Sequence, residues 1–360
     1  MRRIVGEVAP FVAGFVACAV AVRWSASSAP VPASGVAPSF LAASGGAASL
    51  ADRIERARRS VVSLESLPRT APGNAPREPG VVASGVIIDA GGFIATSHHA
   101  LEGARRLRVR LWNGRVYEGA VVCGDYPSDL ALIRIPAKGL EPCRFGDDRR
   151  LRVGDLVVAI GNPLGFHQSV SVGVVSALRR EPLRVAGRVL GEMIQTDAAI
   201  NQGSSGGGLF DSRGDLVGIS AAIVTQPPGA GSVGLGFAIP VSRARPVLRA
   251  MMVRGWLPRP WLGIRYRSGP LPGFGLEPPG LFVEGVLPQG PAAAAGIVAG
   301  DRLLRIGDRR VRGEEDLFPF VERYRPGDEV EIEVERGGVR RVLRVRLGWS
   351  PRLGVQLGSC

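Results

Sequence analysis

Histidine, aspartate and serine are the residue types in this sequence that could together cleave an ester or amide bond. Two of the three histidines are adjacent, His98 and His99 in TSHHAL, and the third is His167. Two adjacent serines, Ser204 and Ser205, lie in the glycine-dense segment NQGSSGGGLF. A serine becomes an effective nucleophile when a histidine takes its proton and a buried carboxylate orients that histidine.

A carboxylate and a glycine-rich loop complete this pattern. Asp129 stands at the start of the apolar segment SDLALIRI, where its side chain can enter the mouth of a barrel. The glycine-rich loop can turn consecutive N–H groups toward one point, as a tetrahedral oxyanion requires. The order histidine, aspartate, serine is that of chymotrypsin-type proteases, and it differs from the order in subtilisins and α/β-hydrolases. Spacing alone does not choose between the two histidines or between the two serines.

The elements that must position these residues are mostly short strands. Apolar segments between residues 81 and 240 alternate with the turn signals DAGG, WNGR, GNPLG and DSRGD, in a chain with 50 glycines and 28 prolines. This pattern predicts barrels or sandwiches. Helices are predicted at LADRIERARR, with Asp52 as its cap, and over residues 241–255.

The N-terminus combines two arginines with the apolar run IVGEVAPFVAGFVACAVAV, which only Glu7 and Pro10 interrupt. Its length suits one bilayer crossing, with the N-terminus in the cytoplasm and the rest of the chain outside. A cleaved signal peptide and a lipoprotein site at Cys18 are the alternatives. Each of the three predicts that most of the chain lies outside the cytoplasm.

Charge and cysteine content exclude little but bear on partners. The net charge of +13 comes almost entirely from arginine, since Lys138 is the only lysine. The arginines are scattered with few aromatic residues between them, so no nucleic-acid partner is expected. The four cysteines show no metal-ligand spacing, and we expect no metal and no cofactor. Cys123 and Cys143 either pair in an oxidising compartment or are buried free thiols.

Longer segments around these residues resemble the HtrA (DegP/DegS-like) serine proteases. The matching segments are SGVIIDAGGFIATSHHAL, SDLALIRI, VGDLVVAIGNPLGFHQSVSVGVVSA, QTDAAINQGSSGGGL and GLGFAIP. The resemblance implies a mostly β chain with a chymotrypsin-like double β-barrel. It places the general base at His99, the orienting carboxylate at Asp129 and the nucleophile at Ser205. It also implies an oxyanion hole formed by the N–H groups of Gly203 and Ser205, and His167 is interpreted as a loop residue.

The resemblance also implies a specificity pocket that involves Ile200 and Ala199. No carboxylate stands at the base of this pocket, so we expect cleavage after small or medium aliphatic residues. The chain departs from the family where Ser204, Gly208 and His98 replace Asn, Pro and Asn, but no triad member is lost. A catalytically dead relic is the alternative, and it would normally lack a triad residue.

The C-terminal part resembles a PDZ domain of the bacterial, permuted kind, through WLGI and VLPQGPAAAAGIVAGDRLLRIGDRRV. The resemblance implies that the N–H groups of Leu262, Gly263 and Ile264 bind the carboxylate of a hydrophobic C-terminal peptide. That peptide would add a strand to the domain edge. Phe318 and Val321, on a predicted helix, would face its side-chain pocket. A module that binds no ligand is the alternative.

These patterns together predict four segments and one function. The segments are a membrane anchor or signal sequence (1–24), a flexible linker (25–49), a chymotrypsin-like serine protease domain (50–255) and a small α+β PDZ domain (256–350). We expect an ATP-independent serine endopeptidase of extracytoplasmic quality control or stress signalling, single-pass in the inner membrane, acting on unfolded or membrane-associated proteins. The resemblance implies a homotrimer. The alternative is a chaperone-like or scaffold protein with little proteolytic activity.

Overall fold

The fold is described from a computed structural model of the chain. It describes residues 49–67, 82–101, 104, 106–162, 168–180, 183–185, 188–223, 232–269 and 280–350. The predicted anchor, all but the last residue of the predicted linker, and His167 lie outside these residues. Across the described ranges, no helix has both the length and the apolar character needed to cross a membrane.

The first element is helix α1 (Leu50–Arg59), whose start differs in detail from the prediction. The N-cap is Ser49, and Asp52 is the third helical residue of a capping box. The Ser49 hydroxyl accepts a hydrogen bond from the Asp52 N–H at 3.2 Å, and the Asp52 carboxylate accepts one from the Ser49 N–H at 2.9 Å. Hydrogen bonds from the N–H and the hydroxyl of Ser49 to the carboxylate lower the pKa of the Asp52 carboxyl. Asp52 therefore does cap the helix, as its third residue, while Ser49 occupies the N-cap position.

Six antiparallel strands then close the first barrel. They are β1 (Val61–Leu67), β2 (Val82–Ile87), β3 (Phe93–Ser97), β4 (Arg106–Arg110), β5 (Val116–Asp125) and β6 (Leu130–Arg134), in the spatial order β1-β2-β3-β6-β5-β4. Alternate apolar side chains point inward, so Val62, Ile94, Leu107 and Ile133 are fully buried in one cluster.

A second barrel follows the same plan. Its strands are β7 (Leu156–Gly161), β8 (Ser169–Arg180), β11 (Met193–Thr196), β12 (Gly208–Asp211), β13 (Leu216–Ile223) and β14 (Gly236–Pro240), in the order β11-β14-β13-β12-β7-β8. A separate hairpin, β9 (Leu183–Val185) and β10 (Arg188–Leu190), precedes β11.

Helix α2 (Val241–Arg254) closes this part of the chain, as the sequence predicted. Its buried residues Val241, Ala244, Leu248 and Met251 recur at helical spacing and pack into the core that both barrels share. The helix ends at Gly255, whose φ of 69° suits a glycine cap.

The C-terminal unit is a small α+β module. Its main sheet holds β16 (Ile264–Ser268), β17 (Leu281–Val286), β18 (Arg302–Ile306), β20 (Glu329–Arg336) and β21 (Val339–Arg346) in that order, with β19 (Arg309–Arg310) paired to β18. A separate pair joins β15 (Pro260–Trp261) to β22 (Gly348–Trp349). The helices are α3 (Pro291–Ala294) and α4 (Leu317–Arg323), the latter preceded by one 3₁₀ turn, Glu314–Asp316. The predicted fold class, two barrels followed by an α+β module, is confirmed.

Cys123 and Cys143 are free thiols, which settles the two alternatives for this pair. Both pack against the core shared by the barrels. Burial raises the pKa of the Cys143 thiol to about 12. The pKa of the Cys123 thiol is also raised, mainly by burial and to a smaller extent by the negative charge of Asp125.

A raised pKa leaves little thiolate, so both thiols should resist alkylation in the folded protein. We expect iodoacetamide at pH 8.5 to modify Cys143 on the order of 10²–10³-fold more slowly in the folded chain than in guanidinium chloride. Peptide mass spectrometry over time would measure the rate at each cysteine. Equal rates in the two conditions would contradict a partly buried, protonated Cys143.

Candidate active site

His99 and Asp129, beside the ends of β3 and β6, form a hydrogen-bonded pair of side chains. His99 begins a 3₁₀ turn two residues after β3 ends, and Asp129 immediately precedes β6. Nδ1 of His99 lies 2.8 and 3.0 Å from the two carboxylate oxygens of Asp129, and the His99 N–H donates to Oδ1 at 3.0 Å. Asp129 is 1% exposed, whereas 29% of the His99 side chain is exposed. A buried carboxylate thus fixes a histidine whose other nitrogen remains accessible.

The backbone of Asp129 is strained in a way that serves this contact. Its φ is 54°, in the left-handed region, which costs most L-residues about 1–2 kcal/mol but which aspartate tolerates better. The Asp129 N–H donates to the carbonyl of Tyr126 at 3.1 Å, and its carbonyl accepts from the His98 N–H at 2.9 Å. The tight turn before β6 therefore holds the carboxylate toward the ring of His99.

The two adjacent histidines lie in different surroundings. The His98 ring packs closely against Gly124: a Cβ added to that glycine would lie only 2.5 Å from Nδ1 of His98. It also meets the ring of Tyr126 edge-on, with centroids 6.3 Å apart. The contact between a histidine ring and the Asp129 carboxylate is made by His99.

Ser205 lies in a loop that is fastened to both barrels. Its carbonyl accepts from the N–H of Ser84 on β2 at 2.9 Å. The next residue, Gly206, has a φ of 84°, and a Cβ there would overlap the Thr96 hydroxyl and the Ser84 carbonyl. Only glycine fits this approach. Gly206, the residue after Ser205, therefore packs closely against Thr96 and Ser97 at the end of β3, the strand that leads into His99.

The two N–H groups predicted to form the oxyanion hole make no hydrogen bond within the described residues. Among those residues, the N–H groups of Gly203 and Ser205 donate to no backbone or side-chain acceptor. The Gly203 carbonyl is held on the opposite side, where it accepts from the Ser84 hydroxyl at 2.7 Å. Gly203 itself is buried and has a φ of 93°. Two N–H groups near the Ser205 side chain are therefore available to a ligand oxygen.

The two residues predicted for the specificity pocket differ in exposure. Ile200 is 1% exposed and packs with the core of the second barrel, against Gly236. Ala199 is exposed, and its carbonyl accepts from the Ser171 hydroxyl at 2.8 Å. Ile200 thus contributes to the packing of the barrel, and the role of both residues in specificity stays a prediction.

Three buried serines that sequence reasoning missed hold the loop in place. Ser84 accepts from the Asn162 N–H at 2.7 Å and donates to Gly203. The Ser97 hydroxyl and the Gly206 N–H both donate to the carbonyl of Ser220, at 3.0 and 2.7 Å. A serine inside an apolar strand must find a partner when it is buried, and that was the available signal.

Replacing Ser84 with alanine should damage both stability and catalysis. The change leaves a buried N–H and a buried carbonyl unpaired, which costs about 1–3 kcal/mol each. It also frees Gly203 to rotate, so we expect kcat to fall on the order of tenfold to a hundredfold, with a smaller change in KM. Ser60→Ala is the matched control, because Ser60 is equally buried but its hydroxyl bonds, among the described residues, to the Ala57 carbonyl alone and not to the Ser205 loop. Equal kcat values for the two variants would contradict the role of Ser84.

The C-terminal unit contains a second site, a largely apolar cavity of about 210 Å³. All five residues predicted to bind a peptide line it: Leu262, Gly263, Ile264, Phe318 and Val321. The N–H groups of Leu262 and Gly263 donate to no acceptor within the described residues. The neighbouring β16 is an edge strand, so a peptide can pair with it.

Comparisons with known proteins agree with this geometry. Residues 83–219 match the trypsin-like peptidase domain, and residues 260–347 match the PDZ domain. Among curated relatives, a probable periplasmic serine endoprotease, DegP-like, from Ectopseudomonas mendocina (strain ymp) is 37% identical over 301 residues, 82% of this chain and 62% of the relative. The putative serine protease HhoB of Synechocystis sp. is 37% identical over 78% of this chain and 69% of its own length.

Solved structures show the same likeness. The HtrA-type protease AlgW with decapeptide is 33% identical, with a TM-score of 0.66, over 84% of this chain and 99% of that one. A serine endoprotease from Yersinia pestis is 30% identical, with a TM-score of 0.63, over 85% of this chain and 100% of that one. The chain thus spans about three fifths of the DegP-like relative but nearly all of these two structures. The predicted family is confirmed: the chain belongs to the HtrA-type serine proteases, with a trypsin-like peptidase domain followed by one PDZ domain.

Proposed function

We propose that this chain is a serine endopeptidase whose catalytic residues are Ser205, His99 and Asp129. The observation that carries the proposal is the double contact of the buried Asp129 carboxylate with the ring and backbone of His99. In this arrangement the Nδ1–H group donates a hydrogen bond to the ionised carboxylate, which leaves Nε2 as the basic nitrogen. Hydrogen bonds join the Ser205 loop to Ser84 on β2 of the first barrel and to Ser220 on β13 of the second, which supports a nucleophile at the junction of the barrels.

The reaction follows from these positions. The Ser205 oxygen attacks the peptide carbonyl while its proton passes to Nε2 of His99, and the Asp129 carboxylate stabilises the resulting imidazolium. The N–H groups of Gly203 and Ser205 stabilise the oxyanion. Collapse of the tetrahedral species breaks the C–N bond, and the amine leaves with the proton from His99. Water then hydrolyses the acyl-enzyme by the same steps, with His99 again acting as base.

The C-terminal cavity supports capture of a hydrophobic C-terminal peptide. The uncommitted N–H groups of Leu262 and Gly263 suit a terminal carboxylate, and the apolar lining suits the last side chain. Unfolded proteins and membrane-associated proteins expose such ends, so both are proposed as substrates. Quality control or stress signalling outside the cytoplasm is the biological role that fits these substrates.

Location and segment boundaries complete the proposal. Relatives such as DegQ of Escherichia coli are named as periplasmic endoproteases, which supports a catalytic part outside the cytoplasm. We place a membrane anchor or signal sequence at residues 1–24, a linker at 25–49, the protease domain at 50–255 and the PDZ domain at 256–350. Within this scheme, the apolar run at the N-terminus tethers the enzyme to the inner membrane.

A homotrimer built through the protease domains is also proposed. Its support is a stripe of exposed apolar side chains on β8, formed by Val170, Val172 and Val174, beside Leu156 on β7. Contiguous exposed apolar residues of this kind mark interaction surfaces. Sedimentation velocity of residues 45–360 tests the assembly, and a single monomer-sized boundary at micromolar concentration would contradict it.

Protease activity is tested with residues 45–360 and an unfolded protein substrate, beside the Ser205→Ala variant. The unmodified protein should generate fragments that the variant does not. Hydrophobic C-terminal peptides are added in a parallel series, so that an enzyme that needs peptide is also detected. An intact substrate in both series would overturn the proposal, and suppressed aggregation of that substrate would then favour the chaperone-like alternative.

A further inference from the structure

The peptide cavity of the C-terminal unit has a wall that belongs to the protease barrel. Tyr126 and Pro127 line it together with Pro260, Trp261 and the loop that follows. These two residues form the turn between β5 and β6, and Asp129 follows in the same turn. The cavity is therefore composite, and a side chain that fills it would lie next to residues of both units.

An ion pair fixes this wall in place. Asp125 is 6% exposed and directly precedes Tyr126, and Arg259 directly precedes Pro260. The guanidinium of Arg259 donates to both carboxylate oxygens of Asp125, at 3.1 and 2.6 Å. Such bidentate pairs restrict geometry as well as distance. The ion pair thus joins the turn between β5 and β6 to the segment that begins at Pro260. Each partner of the pair stands one residue before a residue that lines the cavity.

Further contacts hold the turn itself rigid. Ser128 donates to the Asp125 carboxylate through its N–H at 3.0 Å and through its hydroxyl at 2.5 Å. On the far side of the turn, the His98 ring meets the Tyr126 ring edge-on. Tyr126 is 57% exposed, so one part of its ring is packed and the other remains open to a ligand.

We propose that Tyr126 is a specificity-determining residue for the bound peptide, because its ring limits the size of the C-terminal side chain that the cavity accepts. The inference rests on the proposed capture of a C-terminal peptide. It adds that selection among peptides depends on the protease barrel as well as on the PDZ domain. The edge-on contact with His98 limits the positions that the ring can take, so the ring narrows the cavity for the last side chain of the peptide.

The test compares two fluorescent peptides that are identical except for a last residue of Val or Trp. Binding to the full-length chain is measured by anisotropy in a Ser205→Ala background, which prevents cleavage. Tyr126→Ala should change the ratio of the two dissociation constants in favour of Trp by at least about fivefold. Tyr126→Phe should keep the parent ratio. Trp112→Ala is the matched control, because Trp112 is also an exposed aromatic of the first barrel but does not line the cavity.

The ratio separates selection from general damage, because partial unfolding weakens both peptides equally. A ratio that changes in Tyr126→Ala alone supports the inference. An unchanged ratio in Tyr126→Ala, with normal binding by the parent, overturns the inference and leaves peptide capture standing. Failure of the parent to bind either peptide overturns the proposed peptide capture, and the inference with it.

Discussion

Replacing Ser205 with alanine is expected to lower kcat for an unfolded protein substrate on the order of 10⁵–10⁶-fold. The nucleophile cannot be supplied by another group, because covalent attack requires the oxygen that the triad activates. The folded structure should be preserved, since the loop is held by the Ser205 carbonyl and by its glycine neighbours rather than by the hydroxyl. Circular dichroism and thermal unfolding close to those of the parent would confirm this.

Ser204→Ala is the matched control for this prediction. Ser204 is buried, and its hydroxyl accepts only a long bond, 3.4 Å, from the Asn201 N–H among the described residues. We expect it to lose less than about tenfold in kcat, an indirect effect through the shape of the loop. A fluorophosphonate probe should label the parent and Ser204→Ala but leave Ser205→Ala unlabelled. Labelling of Ser205→Ala at Ser204 would show that the assignment of the nucleophile is off by one residue.

Local pattern predicted most of the fold, because strands and turns leave a periodic record in the chain. Val62 and Ile94 occupy inward positions of alternating strands, and Gly255 stands where helix α2 must end. At the start of α1 the sequence pointed to Asp52 as a capping residue but not to its partner, because Ser49 and Asp52 each satisfy the other's backbone. A sequence shows that both residues can cap a helix, but not which of them precedes the first turn.

The resemblance named site residues that local pattern could not choose. Nothing in TSHHAL shows which ring turns toward the carboxylate, because that depends on the left-handed backbone of Asp129, in the turn between two other strands. The bonds from the hydroxyls of Ser84 and Ser97 to the carbonyls of Gly203 and Ser220 join residues 119 and 123 positions apart, and every residue possesses such a carbonyl. Tyr126 was missed because its neighbours at the cavity come from the other unit of the chain. Such features follow from tertiary packing, and periodicity carries no record of them.

Replacing His99 with alanine is expected to lower kcat on the order of 10³-fold or more, as removal of a triad residue does, with little change in KM. The loss is expected because His99 is the proposed base for the proton of Ser205 and the variant has no ring at that position. The neighbouring variant His98→Ala should lose less than about tenfold, since it removes a ring that contacts Tyr126 and Gly124 and leaves the bonds from His99 to Asp129 intact.

The comparison of the two histidine variants is informative because they differ by one position in the same short turn. Damage to the turn itself would lower the activity of both, whereas loss of the base affects only one. Single-turnover kinetics on an ester substrate would isolate the acylation step from product release. Added imidazole should restore part of the acylation rate in His99→Ala, because the space beside the buried Asp129 can then accept a free base. A larger loss in His98→Ala than in His99→Ala would mean that the base has been assigned to the wrong residue of the pair, and the assignment of Asp129 as its partner would fail as well.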